Sequence, residues 1–262
     1  MELYRLPVYD DIAFSWDLES EVDFLGRVFE RYVPFPVRRI LEPACGTGRF
    51  LEALPGHGFR VTGYDSSEEM LTFAQERIAE LGLEASAEAV PGDMRNAVFD
   101  PPFDAALNSI NSFCYLLDDA DVLLHLRGTA ASLRPGGVYI VHLSTAYEGD
   151  LDAEGSTWEM ERDGVKVVTN WKVESEDIEA KRAVHICSMK IDDRGEKRSL
   201  VDRHVLRLWT IGDLADVIRR SGAFRLIAIY GDGSTFREVP LGTHITGEMY
   251  NHYYVLESIS AA

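Results

Sequence analysis

What most restricts the fold of this chain is one turn. The segment Leu41-Glu-Pro-Ala-Cys-Gly-Thr-Gly-Arg-Phe50 joins a short apolar run, residues 37–41, to a helical stretch over 49–54. Gly46 and Gly48 let the backbone enter a helix tightly and pass close to a ligand. A second strand-like run, Arg60-Val-Thr-Gly-Tyr64, follows almost at once. Ser66, with Glu69 three residues on, reads as a capping box for the next helix. Helical spacing then runs through Met70, Phe73, Ala74, Ile78 and Leu81 until Gly82 stops it. A weaker strand at 87–90, a strand at 104–110, a helix at 119–133 and a strand at 137–143 continue the alternation. Connections this short suit right-handed crossovers. The expected fold class is therefore α/β, a Rossmann-like, doubly wound and mostly parallel sheet with helices on both faces.

The pattern changes after Tyr147. Between residues 156 and 208 four strand-like runs are separated by Asp163-Gly164, by the acidic stretch 174–179 and by Asp193-Arg-Gly195, as in an antiparallel β-meander. His185, Cys187, Met189 and Ile191 share one face of the third run, and Val184, Ile186, Ser188 and Lys190 the other. Thr210 caps a helix over 211–221, with Asp213 at its third position and Gly222 at its end. Strands at 225–230 and 251–257 close the chain, and the loop between them has no room for an ordinary crossover helix. The last strand is thus expected to be antiparallel. No repeat or long linker divides the chain. The expected organisation is one domain, 1–262, with an N-terminal helical lid at 1–36 and an inserted meander at 150–209.

A chain of 262 residues can bury about three quarters of the surface it exposes when unfolded. Its 46% hydrophobic and 27% charged residues exclude bulk disorder. An 18-residue apolar run and a basic-flanked leader are both missing, so the expectation is a cytoplasmic protein without a membrane span. Cys45, Cys114 and Cys187 are too scattered for a disulfide framework or a metal pair, and no metal is expected. Lys and Arg number 26 against 44 Asp and Glu, a net charge of −18 that repels phosphate backbones and argues against nucleic-acid partners.

Open α/β sheets bind ligands outside the carboxyl ends of their strands. At three successive strand ends this chain carries acids. Glu42 stands beside the glycine turn; Asp65 ends the second strand, where a carboxylate can accept both hydroxyls of a ribose. Gly92-Asp93-Met94 follows the third, where a carboxylate and a backbone N–H can read an adenine edge. A nicotinamide site would need a third glycine, but Leu51 occupies that position. A pyrophosphate also prefers an uncluttered helix N-terminus, whereas a carboxylate at Glu42 suits an ammonium or sulfonium centre.

In this order the motifs resemble those of the class I S-adenosylmethionine-dependent methyltransferases, whose first motif is an acid followed by G-x-G-x-G. Here it reads Glu42-Pro-Ala-Cys-Gly-Thr-Gly48, with Ala44 where the first glycine usually sits. Asp65 matches the family's ribose-binding acid, Asp93-Met94 its adenine-binding pair, and Leu133-Arg-Pro-Gly-Gly137 a further recurrent segment. The resemblance covers residues 37–143 and resumes from Thr210. It implies S-adenosyl-L-methionine as cofactor, held by Tyr9, Trp16, Glu42, Ala44, Cys45, Gly46, Gly48, Asp65, Ser66, Met70, Asp93, Met94, Asn108 and Ser109. Of these, Met70 also reads as an ordinary core residue. The pattern Gly92-Asp-Met-Arg95 and the inserted meander look most like small-molecule enzymes, including those that N-methylate amino sugars.

The reaction so implied is in-line displacement of a methyl group onto a nitrogen or oxygen of a small molecule, helped mainly by proximity and alignment. Asp100-Pro-Pro-Phe103 resembles the signature of amino methyltransferases acting on DNA bases or amides, but it precedes the fourth strand and reads more simply as a turn. The segment after that strand, residues 108–115, would shape the reacting end, with Asn108 and Tyr115 as candidate catalytic groups. His142, near Tyr147 at the end of the fifth strand, is the candidate general base. Residues 9–16 could fold over the cofactor as an aromatic lid or pack on a sheet edge. The meander would cover the cleft and offer a surface for a homodimer, with Arg203, His204 and Arg207 on a solvated strand face. The expected partner is a small-molecule methyl acceptor. Two rivals share the fold: an NAD-type oxidoreductase, and a non-catalytic protein that binds S-adenosylmethionine.

Overall fold

The strand–helix alternation of the first half folds as its spacing requires. In the computed structural model, which describes residues 2–100, 102–145, 155–231, 236–241 and 251–259, β1 (Arg39–Pro43), β2 (Arg60–Asp65), β3 (Ala87–Pro91), β4 (Phe103–Asn108) and β5 (Leu133–Ser144) form a parallel sheet. Ala105, Ala106 and Leu107 of β4 are fully buried, as a central strand covered on both faces must be. The helices α2 (Glu19–Tyr32), α3 (Arg49–Ala53), α4 (Glu68–Glu80), α5 (Asp119–Ala131) and α6 (Ile211–Ser221) cover it. Val22, Leu25, Val28 and Phe29 of α2 join the core on one face, and Val122, Leu126, Leu214 and Val217 of α5 and α6 join it on the other.

Three further strands, β10 (Phe224–Gly231), β11 (Glu238–Val239) and β12 (Asn251–Ser258), extend the sheet, whose order is β11-β10-β12-β5-β4-β1-β2-β3. As expected, β12 (Asn251–Ser258) is antiparallel to both β5 and β10 (Phe224–Gly231). A two-residue strand, β11 (Glu238–Val239), adds to the outer edge, which the sequence reading did not anticipate. The meander forms its own sheet, β6 (Ser156–Arg162), β7 (Val165–Asp177), β8 (Arg182–Asp193) and β9 (Glu196–Arg207), in sequential antiparallel order.

Three boundaries differ from the sequence reading. Ser67, not Ser66, caps α4, its Oγ accepting from Met70 N at 3.3 Å; Ser66 is needed to carry the chain out of β2. The acidic stretch from Glu174 does not end its strand. Instead β7 continues to Asp177 through an irregularity between Val173 and Ser175, and Glu174 is held by Arg203 at 2.9 and 3.0 Å. The strand β5 begins at Leu133, so Leu133-Arg-Pro-Gly-Gly137 lies within it.

Residues 9–16 do not lie on an edge of the main sheet. They belong largely to α1 (Pro7–Ala13), and Leu3, Tyr9, Ile12 and Ala13 pack on Val165, Val167, Cys187, Met189 and Ile191 of the meander. A four-stranded sheet with one apolar face needs cover from water, and the N-terminal segment supplies it.

Candidate active site

The carboxyl ends of β1 to β4 converge on a cavity of about 340 Å³ lined by Ala44, Asp65, Ser66, Gly92, Asp93, Met94, Tyr115 and Asp118 among others. A wider depression of about 560 Å³, bounded by Glu2, Arg5, Leu6 and Asp202, lies beside β9, away from those strand ends.

The turn after β1 is held open by its backbone. Gly46 has φ +53°, and a Cβ placed there would meet nothing within 4 Å. Gly48 starts α3 at φ +86°, where a Cβ would come within 3.1 Å of Ala74. The two glycines thus differ: Gly46 faces open space, and Gly48 lets α3 pack on α4 beside Leu51. Ala44 also adopts a left-handed conformation, φ +55°, which explains why glycine suits its place. Cys45 is buried against Gly63, where a Cβ would come within 2.8 Å of its Sγ; burial, followed by the charge of Glu42, raises its thiol pKa well above the usual value.

Asp65 performs two tasks at once. Its Oδ2 accepts from Gly46 N and its Oδ1 from Ser67 N, both at 2.9 Å. Each oxygen keeps acceptor capacity for a further donor, and Asp65 lines the cavity. Asp93 is engaged by Arg95, whose Nε approaches Oδ1 at 2.9 Å, and the guanidinium holds its carboxyl below the usual range. Both partners are partly exposed, so this ion pair can exchange for a ligand at small cost.

Glu42 is buried, with Oε2 lacking a hydrogen-bond partner among the described residues. Burial raises its pKa strongly, opposed by the nearby Arg49 charge. Asn108 donates to Pro43 O at 2.9 Å and leaves Oδ1 unpartnered. The sequence reading passed over Arg49, whose signal was its place directly after Gly48. Its Nη2 donates to Trp16 O at 3.0 Å, while Nη1 is buried without a partner. A buried carboxylate oxygen, amide oxygen and guanidinium nitrogen left unmatched are costly in an apolar interior. Together they fit a zwitterionic amino-acid group bearing a cationic sulfur, and the open space at Gly46 fits its nucleoside.

The structure brings together Ala44, Cys45, Gly46, Asp65, Ser66, Asp93, Met94, Asn108 and Tyr115, but not every predicted residue. Tyr9 is turned away, its hydroxyl donating to Asp193 at 3.0 Å within the meander contact, because α1 must cover that sheet. Trp16, 40% exposed, stacks over the Arg49 guanidinium at 5.0 Å and packs edge-on to Trp158. It therefore reaches the site through Arg49 rather than as a lid. Met70 is buried in α4, the core placement that also stood in the sequence reading. Ser109 is buried beside Asn108. His142 stacks flat on Tyr253, centroids 4.2 Å apart, and Tyr147 lies outside the described residues.

The meander contributes what sequence placed at its surface. His204 is 1% exposed, and its Nδ1 lies 2.6 Å from Tyr115 Oη, which in turn lies 2.7 Å from Tyr4 Oη. Arg207 is also buried, bonded to Asp119 at 2.6 Å and stacked on Trp209. His204 faces inward because β9 closes over the turn that carries Tyr115, while Arg207, on the other face of the strand, is buried against α5 and Trp209.

Known proteins agree with this geometry. Residues 40–137 match a family described as a methyltransferase domain. The chain is 32% identical over 170 residues to the cypemycin N-terminal methyltransferase of a Streptomyces species, covering 62% of this chain and 68% of that one. It is 32% identical over 102 residues to a dTDP-3-amino-3,4,6-trideoxy-alpha-D-glucopyranose N,N-dimethyltransferase of Streptomyces venezuelae, covering 39% and 40% of the two chains. A crystal structure of an S-adenosylmethionine-dependent methyltransferase from Clostridium acetobutylicum superposes over 97% of both chains, with a TM-score of 0.77 at 19% identity. The nicotinamide and non-catalytic readings fall away, and no helix among the described residues is long and apolar enough to cross a membrane. This chain belongs to the class I S-adenosylmethionine-dependent methyltransferases.

Proposed function

We propose that the protein transfers a methyl group to an amine nitrogen of a small molecule. The observation that carries this reading is the imbalance of charge around the chamber. Asp65, Asp93, Asp118 and Asp121 line the cavity, with Arg95 as the basic residue of its lining. Such a chamber favours cations in both the cofactor and the acceptor. The two relatives described above are named for methylation at an N-terminus and at a sugar nitrogen, while two others of similar identity are named as O-methyltransferases. The chain spans about two thirds of the first relative and less than half of the second, so the acceptor is assigned on chemistry rather than by transfer of their names.

The proposed roles follow from position. Asp65 and Ser66 hold the ribose, Met94 and Asp93 the adenine edge, and Glu42 with Arg49 the ammonium and carboxylate of the methionine part. The chemistry that bound S-adenosylmethionine supplies is an electrophilic methyl on sulfur. Asn108, Tyr115 and His142 shape the wall at the reacting end, where proximity and alignment supply most of the rate. The test is transfer of labelled methyl to paired acceptors, a set of primary amines and the matching alcohols, with dTDP-amino sugars and peptide N-termini as separate arms. Label in the amines supports the reading, and label confined to hydroxyl oxygens overturns it.

A further inference from the structure

The buried stripe of α5 holds one residue that its apolar spacing does not call for. Val122, Leu126 and Thr129 are buried there, and His125, 1% exposed, stands among them. Both of its ring nitrogens are engaged. Nδ1 lies 3.0 Å from Met94 O, and Nε2 lies 2.7 Å from Tyr139 Oη of β5. A carbonyl oxygen can only accept, so in the neutral ring Nδ1 carries the proton and Nε2 accepts from the Tyr139 hydroxyl. Burial pushes the His125 pKa down to about 4, opposed by the bond to Met94, so the ring is neutral at neutral pH. Phe113 and Tyr139 close on it edge-on, each with centroids 5.6 Å away. Met94 itself lines the cavity. The bonds within its turn are local, with Asn96 N and Ala97 N donating to Asp93 O at 3.0 and 2.9 Å. Its long-range anchors are His125 at the carbonyl and the Asn108 amide, 3.8 Å from its sulfur.

We propose that His125 is a positioning residue for the cofactor: by holding Met94 O from within the core, it sets the direction in which the Met94 N–H meets the adenine edge. The inference rests on the assignment of that edge to Asp93 and Met94 above. Peptides are planar, so only the φ and ψ of Met94 separate its carbonyl from its own N–H, and pinning the first restrains the second. A leucine would fill the stripe of α5 equally well but would leave Met94 O without this donor. A buried polar network with every member satisfied specifies one arrangement where packing alone allows several. Adenine presents an acceptor at N1 and a donor at its 6-amino group, which suit the Met94 N–H and the Asp93 carboxylate. Hypoxanthine reverses both. His125 therefore governs discrimination between bases more than overall affinity.

Calorimetry with S-adenosylhomocysteine and S-inosylhomocysteine tests the role. The intact protein should prefer the adenine nucleoside by about 100-fold, the size of two mispaired hydrogen bonds. In His125→Asn the amide keeps a donor at the position of Nδ1, and the preference should stay within about threefold of the intact value. In His125→Gln the amide reaches Tyr139 but offers Met94 O no donor, and the preference should shrink by about tenfold, as for one lost hydrogen bond. Tyr139→Phe controls for stability: it breaks the other bond of the ring and should lower Tm while leaving the preference within about threefold. A preference that falls equally in all three variants, or in none, would overturn the role of His125. If the His125 variants do not fold, nitrogen-edited NMR of the intact protein decides, since a ring proton on Nδ1 supports the role and one on Nε2 overturns it. Equal affinity of the intact protein for the two nucleosides would instead overturn the adenine assignment beneath it.

Discussion

The end of the cavity proposed for the nucleoside and the end proposed for the reaction are built in opposite ways. At the nucleoside end the contacts are short-range: Asp65 bonds Gly46 N across 19 residues and Ser67 N across two. Gly63 and Gly92 let neighbouring loops close up, since a Cβ on either would fall within 2.8 Å of Cys45 or Tyr64. At the reacting end the partners are remote. Tyr115 reaches Tyr4 across 111 residues and His204 across 89. The first end is fixed by backbone amides and survives side-chain changes elsewhere; the second exists only once the N-terminal turn and the meander have docked. Affinity for the cofactor and productive turnover should therefore be separable.

Gly46→Val attacks the local end and should have the largest effect. A branched side chain at φ +53° would fill the space now open above the turn. Strain at such a position costs roughly 1–2 kcal/mol, which a core of this size tolerates. Loss of S-adenosylhomocysteine affinity should reach about 100-fold, or ~2.7 kcal/mol. Titration calorimetry beside thermal melting checks it, and wild-type affinity in a folded variant would mean that the cofactor lies elsewhere.

The same contrast decides what could be read from sequence. Glu42, the glycine turn, Asp65 and Asp93 could be placed together from sequence because each lies at or just past the carboxyl end of a strand, and strand ends in an α/β sheet share one edge. Arg49 stood next to that motif and was missed, since only packing leaves its Nη1 buried and unmatched. His204 was read as solvated because alternation in β9 cannot say which face of the meander is covered. Tyr9 was read as a lid because the aromatic residues of 9–16 looked toward the sheet that sequence could predict. The apolar face of the meander, which claims Tyr9 and Ile12, is a pairing between distant segments and has no local signature.

Tyr115→Phe attacks the remote end with a smaller effect. It removes one hydroxyl and leaves both Tyr4 Oη and His204 Nδ1 without their partner. His204 is held neutral by burial, its pKa pushed down to about 4, so what is lost is a neutral network worth roughly 1–3 kcal/mol of stability. Turnover of an amine acceptor should fall by about tenfold while S-adenosylhomocysteine affinity moves by less than about threefold, because displacing the wall misaligns the acceptor and not the nucleoside. Parallel loss of both quantities would show that the two ends form one cooperative unit and that the contrast fails.

Ala44→Gly should have the smallest effect, in the opposite direction. Ala44 holds φ +55° in the turn between β1 and α3, a conformation that costs an alanine roughly 1–2 kcal/mol. Glycine removes that strain but loses about 0.5–1 kcal/mol more conformational freedom on folding. Since the relief exceeds the entropy, the variant should gain about 0.5–1 kcal/mol, a rise in Tm of roughly 1–4 °C for a chain of this size. Ala44 also lines the cavity, yet its methyl carries no hydrogen bond, so S-adenosylhomocysteine affinity should hold within about twofold. A lower Tm would mean that the methyl packs better than its backbone strain costs, and that the turn at the local end owes its shape to side chains after all.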